Sequence, residues 1–498
     1  MALLFPLLLL IKLKGRDRDG VRLPPGPWRL PVIGSLHHLI GKPLIYRALA
    51  DLARRLDAPL MYLKLGELPV VVATSPGAAR EILRTHDATF ASRPWTMTVK
   101  IFAADGQGIG FAPYGRLWRQ IRKICVSELL SAQRVRSLRH IREEEVARLV
   151  AAVAATPPGV PMNVSERVAA VIADSAVRAM IGDRFERREE FLETVDAVNK
   201  MASGFNLGDL FPSSWLVKFV SGLGWRAHTY HLKTFEFMEL AIKQHEEWRA
   251  RVAADGRRVE EDLVDVLLRI QREGSLDVPL TMGNIKAIIL DLFFAGIDTA
   301  ATTLQWAMSE LMRNPNVMKR AQAELRDILN GKPKVAEDDL TQMKYLKLVI
   351  KETLRLHPAA PLLVPRECGE SCTILGYDVP KGTTVFVNAW ALGRDPKYWK
   401  DAEEFKPERF EGSTIDFKGT DFEYIPFGSG RRICPGILFA HSNMELTLAA
   451  LLYHFDWTLT VGMKPAELDM TEEMGLTILK KNDLHLHYVV RVPFQCAQ

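Results

Sequence analysis

The spacing of apolar positions changes several times along the chain, and each change predicts an element. From Leu60 to Ala73 the run MYLKLGELPVVVA is aliphatic and β-branched, broken only at Gly66-Glu67, which predicts two short strands and a tight turn. Ser75-Pro76 opens a helix through Ile82 to about His86, with proline early, where its missing N–H costs nothing. Tyr114 to Leu130 predicts a further helix, and Trp118 and Arg122 share one face of it at i and i+4. From 131 to 280 one helical pattern follows another. Thr281 to about Arg313 is the longest, roughly 50 Å at ~1.5 Å per residue, ending before Asn314-Pro315. Its middle, Ile285 to Phe294, is apolar nearly all round apart from Lys286 and Asp291, which predicts a buried helix. Helices are also expected from about Tyr345 to His357 and from Ile437 to about Tyr453. Strands are expected at Thr373–Ile374 with Tyr377–Val379 and at Thr384–Val387, and a turn near Met474-Gly475. The fold class is mainly α with small β-sheets.

Composition narrows this further. The 498 residues are 48% hydrophobic and 25% charged, as in globular proteins. No Pro/Gly/Ser-rich linker, charge block or repeat divides the chain, so one large domain is expected over 23–498. A net charge of +5, dispersed along the chain, gives no footprint for nucleic acid. Five cysteines (125, 368, 372, 434 and 496) are few and odd in number, which speaks against a disulfide framework and for a reducing compartment. Residues 1–22 carry an apolar run, Leu3 to Ile11, followed by Lys12, Lys14, Arg16 and Arg18. About ten apolar residues fall short of the roughly twenty that a membrane span needs. The charges follow the run, and no small-residue cleavage site does, unlike a secretory signal. A short or truncated membrane anchor with a basic cytosolic flank is the expectation, and Pro24-Pro25-Gly26-Pro27 then breaks the chain stiffly. Gly106-Gln107-Gly108-Ile109-Gly110 has the wrong spacing for a dinucleotide fingerprint and no strand feeding it.

The chemistry concentrates in Phe427-Gly428-Ser429-Gly430-Arg431-Arg432-Ile433-Cys434-Pro435-Gly436. With Pro435 as the first helical residue, Cys434 stands beside a helix N-terminus, whose free N–H groups and dipole lower a thiol's pKa. Gly428, Gly430 and Gly436 admit close backbone approach, at positive φ or against a flat ligand. Zinc wants four ligands, usually in C-x-x-C pairs; no second Cys or His has that spacing, and His441 completes no pair. One thiolate suits haem, whose porphyrin supplies the in-plane ligands. A lone cysteine is otherwise more often a buried structural residue. On the long helix, Ala295-Gly296-Ile297-Asp298-Thr299 places polar groups in an apolar stretch, where they cost stability unless partnered. A lone Thr299 would bond back to the preceding turn.

The cysteine loop matches every fixed position of Phe-x-x-Gly-x-Arg-x-Cys-x-Gly and so resembles the haem-binding signature of the cytochrome P450 family. The proline hinge, Trp118-x-x-x-Arg122, Gly296-x-Asp298-Thr299, Glu352-x-x-Arg355 and Pro407-Glu408-Arg409-Phe410 follow in family order, and the wording resembles plant microsomal members. The resemblance implies a single P450 fold with haem b between the long central helix and the cysteine loop. Cys434 would be the axial thiolate and metal ligand, with Phe427, Gly428, Gly436 and Ala295 around the cofactor. Trp118, Arg122, Arg366 and Arg432 would bind its propionates. Thr299 would steady dioxygen and Asp298 would serve proton delivery. Glu352, Arg355 and Arg409 would form a buried structural network. The implied activity is a monooxygenase that takes O2 and NADPH-derived electrons from an NADPH-cytochrome reductase, with basic Arg116, Arg119 and Lys123 facing that donor. The implied location is the endoplasmic reticulum membrane, catalytic domain on the cytosolic side. Segments 101–111, 201–220, 290–299, 361–365 and 475–479 would line an apolar pocket, with 201–220 a lid touching substrate and membrane. A hydrophobic plant metabolite such as a terpenoid is the expected substrate. Two other readings stay open: a same-fold enzyme rearranging or dehydrating an oxygenated substrate without O2, and a non-catalytic haem sensor.

Overall fold

The computed structural model describes residues 20–494 apart from 158, 184–185, 202–204, 257–259, 461 and 476; most of the expected anchor, and Cys496, lie outside them. Strands β1 (Leu60–Leu65) and β2 (Leu68–Ala73) pair antiparallel around Gly66, whose φ of 62° favours glycine. Two strands from the far half of the chain, β3 (Arg366–Glu367) and β4 (Thr384–Val387), complete a sheet of order β1-β2-β4-β3. Strand β4 runs parallel to β2, with Val70 opposite Thr384. Alternation sends Met61, Leu63, Val70 and Val72 to one face, against Tyr46, Leu49 and Ala50 of helix α1 (Ile45–Arg55). Leu60, Val71 and Val385 pack on the other face with Ile82 and Phe90. The sheet is therefore buried on both sides.

The helical body holds α2 (Arg116–Ile124), α3 (Leu223–Ala254), α4 (Met282–Arg313), α5 (Lys344–Leu356) and α6 (Ile437–His454). Thr281 and Asn284 form a reciprocal capping box that fixes where α4 begins. At its end Asn314-Pro315 starts a new helix, because proline cannot continue the old ladder. Among the described residues α4 is the one helix apolar and long enough to cross a membrane, and 67% of its apolar window is buried, so it is a core helix.

Three expectations change. Helix α3 equals α4 at 32 residues, so α4 is not the longest alone. The 131–280 region also contains a strand, Met162–Asn163, paired with His485–Val490 from the chain's end. Two residues carry no readable period, and their partner is distant. Pro435 lies outside α6: Gly436 is the N-cap, because the chain is still bonded into the cysteine loop through Cys434 N–H to Phe427 O (3.0 Å).

On α3, buried His245 Nε2 lies 2.8 Å from Asp262 and 3.4 Å from Asp265, and Arg249 bonds both carboxylates. The three ligand-type residues cluster within 4.8 Å. Arg249 and a protonated His245 together balance the two carboxylates, which makes the group a charge network. Burial by itself would lower the imidazole pKa; the two carboxylates outweigh it and push it up to about 9. Stabilisation from the raised pKa is complete below the ordinary value of 6.5 and is lost as pH rises through about 9. Denaturant unfolding across that window should show falling stability in the wild type and a flatter profile in His245→Gln.

Candidate active site

The cysteine loop is fixed from beneath. Gly428 and Gly430 take φ of 72° and 70°, and a side chain at Gly430 would collide with Leu83 O at 2.2 Å and with Asp87. Ser429 donates its hydroxyl to Gly419 O (2.6 Å). Asp87 accepts from the Arg431 amide (2.9 Å) and guanidinium (3.0 Å), and from Arg366 (3.0 Å). Arg366 also reaches Ser429 O at 2.7 Å, so this buried arginine already braces the loop. Gly436 has φ of −93° and needs no left-handed conformation, but a methyl there would stand 3.9 Å from Cys434 Sγ. Phe427 packs edge-on to Phe417, 5.7 Å between ring centroids, with His441 beside both rings.

The expected lowering of the Cys434 pKa is overturned for the protein by itself. Burial pushes the thiol up, and the opposing Gly436 N–H and Arg122 charge do not compensate. Helix-end effects of this kind are worth about 1 kcal/mol or less at exposed sites. Desolvating a thiolate outweighs them unless a cation binds the sulfur.

Above the loop stands a cluster of cations. Buried Arg432 donates to Ala91 O (2.7 Å), Ile109 O (3.2 Å) and Ala112 O, and its guanidinium lies 4.1 Å over the Trp118 ring. Trp118 gives its indole N–H to Ile109 O (3.1 Å). Arg122 is half-buried and faces Cys434 electrostatically, with no hydrogen bond or ion pair to any described residue. A fourth arginine was missed in the sequence. Arg93, buried, donates to Gly110, Val364 and Pro365 carbonyls at 3.2, 2.7 and 2.8 Å. Burial, then repulsion by Arg432 and Arg366, pushes Arg93 below the usual guanidinium range, and burial with repulsion by Arg366 and Arg122 brings Arg432 down to about 9. Such a group invites an anion. Only the flanking Phe90 and Pro94 hinted at Arg93, and neither forms a motif.

The 106–112 loop is also tied to α4. Asp291 accepts the Gly110 N–H (2.9 Å), and a side chain at Gly108 would collide with its Oδ2 at 2.1 Å. Burial raises this carboxyl to about 6 against the Gly110 and Ile109 amides. One turn later Ala295 is exposed, between half-buried Phe294 and Gly296 and ahead of half-buried Asp298 and Thr299, so α4 borders open space there. Thr299 bonds back to Ala295 O at 2.6 Å, the arrangement of a solitary helical threonine, and Asp298 accepts from the Asn199 amide.

A mostly apolar cavity joins Phe102, Phe111, Phe205, Pro361, Leu362 and Gly475, bringing four of the five expected lining segments together, with Met474 beside them. Residues 290–299 do not line it. Instead Leu65, Leu68 and Val70 of the β1–β2 sheet and Phe386 of β4 do, since sheet and cavity meet at the strand ends. Beyond it, Arg355 bonds Glu352 through two nitrogens at 2.8 Å, and Arg409 Nε reaches Glu352 at 2.9 Å, giving the expected network.

These residues fit a haem group: one thiol beside a loop kept clear by glycine, clustered cations with Arg122 uncommitted, and a small residue on the facing helix. Comparison with known proteins agrees. The family model described as Cytochrome P450 matches residues 24–486. Desmethyl-deoxy-podophyllotoxin synthase of Sinopodophyllum hexandrum is 49% identical over 485 residues, covering 97% of this chain and 95% of that one. Premnaspirodiene oxygenase of Hyoscyamus muticus is 48% identical over 489 residues, covering 98% and 96%. A solved zebrafish cytochrome P450 with abiraterone superposes with a TM-score of 0.75 at 23% identity, over 90% of this chain and 100% of that one.

Proposed function

The chain belongs to the cytochrome P450 family, and from that premise we propose that it places one oxygen atom on a terpenoid-type hydrocarbon held in the cavity at Phe102, Phe111 and Met474. It is a haem-thiolate monooxygenase using O2 and reductase-derived electrons. Haem, when bound through the Cys434 thiolate, supplies oxygen activation, electron density from sulfur favouring O–O cleavage. The protein's own residues do the rest. Arg122, with Arg432, Trp118, Arg366 and Arg93 around it, would neutralise the propionates. The phenyl and aliphatic lining would orient an apolar skeleton and exclude water. Asp298, hydrogen bonded to Asn199, would take a proton from the solvent side and pass it towards the Thr299 hydroxyl, which turns from Ala295 O to hand it on.

The observation that carries this reading is the Asp298–Thr299 pair on a core helix. A rearranging enzyme or a sensor has no use for a carboxylate and a hydroxyl placed side by side there, each held by a hydrogen bond it can exchange, to Asn199 and to Ala295 O. Exposed Arg116, Arg119 and Lys123 on α2 would meet an acidic reductase surface. Trp215, Phe219, Val220 and Trp225 are each at least 75% exposed, in the segment that also gives the cavity Phe205. An apolar patch of this kind suits a membrane face, which in this reading is that of the endoplasmic reticulum. Reconstitution with NADPH, a plant reductase, O2 and a panel of sesquiterpene hydrocarbons should give a product heavier by one oxygen atom, dependent on all three additions. Product formed without O2 or reductase would overturn the reading, as would the absence of any spectral shift or product across the panel.

A further inference from the structure

A further buried polar group lies away from Cys434, and the chemistry above makes no use of it. Its centre is His357, which follows the last residue of α5 and is 9% exposed. One ring nitrogen, Nε2, lies 2.8 Å from Glu310 on α4. The other, Nδ1, faces Glu472 at 4.0 Å. The Trp306 ring stacks on the imidazole, 4.4 Å between centroids and 3° from parallel. Glu472 stands in a third element, strand β5 (Glu472–Met474), and is tied to a fourth by Tyr46 Oη (2.5 Å) and Arg47 of α1. Two carboxylates, an imidazole and a phenol in nearly dry surroundings are costly unless they fix something.

What they fix is the turn that enters the cavity. Trp306 donates its indole N–H to Ile478 O (3.1 Å), and the Ile478 N–H donates to Ala359 O (3.0 Å). Met474 and Gly475 stand two and three residues beyond Glu472, and Ala360, Pro361 and Leu362 follow soon after His357; all five line the cavity. Two cavity walls that share no covalent neighbourhood are thus registered to each other and to α4 through Trp306 and Ile478, with the imidazole of His357 stacked on Trp306, bonded to Glu310 and facing Glu472 across the junction. We propose that His357, between Glu310 and Glu472, is a positioning residue that sets how far Met474 and Gly475 and the 359–363 segment reach into the substrate cavity, and so governs which bulky ligands fit. This deepens the monooxygenase reading and rests on it.

The test uses ferric holoenzyme and two nitrogen ligands of the haem: imidazole, a single small ring, and clotrimazole, whose three additional aryl rings must be housed by the cavity walls. Glu472→Gln removes the charge facing His357, Tyr46 and Arg47 while keeping volume. Trp306→Phe keeps the stacked ring but deletes the N–H to Ile478. Each should leave haem content, the reduced carbon monoxide spectrum and imidazole affinity unchanged while altering clotrimazole affinity about five- to tenfold, the scale of one buried hydrogen bond. Unchanged clotrimazole affinity in both variants would overturn the proposal. So would both ligands weakening in step with lost haem, which marks general destabilisation. If Glu472→Gln does not fold, Trp306→Phe decides by itself. A wild type lacking the thiolate-type carbon monoxide band would instead sink the haem reading, which keeps the two failures apart.

Discussion

Cys434→Ala is expected to abolish the strongly red-shifted Soret band of the reduced, carbon monoxide-bound protein, and with it all oxygenated product. Two thiols face Arg122 among the described residues: Cys434, in the glycine-lined loop, and Cys125, which is wholly buried within α-helical packing and is pushed up to about 12 by that burial, while Cys368 and Cys372 lie together by the 372–379 strand pair. No other side chain there can replace a soft anionic ligand, since His441 stacks on Phe417 at 4.1 Å. The loop itself should survive, because the Cys434 N–H bond to Phe427 O and the glycine turns do not depend on the side chain. Far-ultraviolet dichroism should therefore be retained while the band disappears. A variant that keeps the band would show that the sulfur does not hold the iron.

Glu352→Gln is expected to be the most damaging change away from the cofactor. Glu352 and Arg355 are both essentially inaccessible, and Glu352 also holds Arg409 and the Lys406 amide (2.8 Å). Loss of its charge strands two guanidinium groups, a penalty of about 3–5 kcal/mol. Against a total stability of about 5–15 kcal/mol, the variant should unfold at much lower temperature or fail to retain haem. Arg409→Lys should cost clearly less, because Arg409 is the partly exposed partner and Glu352 keeps its bidentate bond to Arg355. Thermal unfolding followed by dichroism ranks the two. Equal midpoints would mean that the network does not brace the fold.

Much of this was legible in the residues. The β1–β2 hairpin, the capped α4 and the strands at 373–387 announce themselves through local period and turn chemistry, and Glu352, Arg355 and Arg409 assemble as the motif order implied. What stayed hidden depends on distance along the chain. Arg93 carries no local pattern, and its place beside Arg432 exists only once the 106–112 loop has folded over both. Leu65 and Val70 read as ordinary sheet residues, yet line the cavity because the sheet ends there. The pKa of Cys434 went the other way because desolvation cannot be read from a neighbouring proline and glycine. His357 reads as a residue after a helix; Glu310 and Glu472, which give it meaning, lie far before and after it.

The parallel pairing of β2 with β4 has a temporal consequence. Val70 must wait for Thr384, and the cavity wall at Met474 comes later still, so no partially synthesised chain can possess a substrate cavity. Pairings this remote are slow to close, because the loop entropy is lost before contact is gained. Helix-rich parts of the body, built from near neighbours, can form during synthesis while the half-sheet β1–β2 keeps an unpaired apolar edge at Leu68–Ala73. That edge is the stretch a chaperone would have to cover. The yield of active protein should then depend on how quickly the last quarter of the chain arrives to take it.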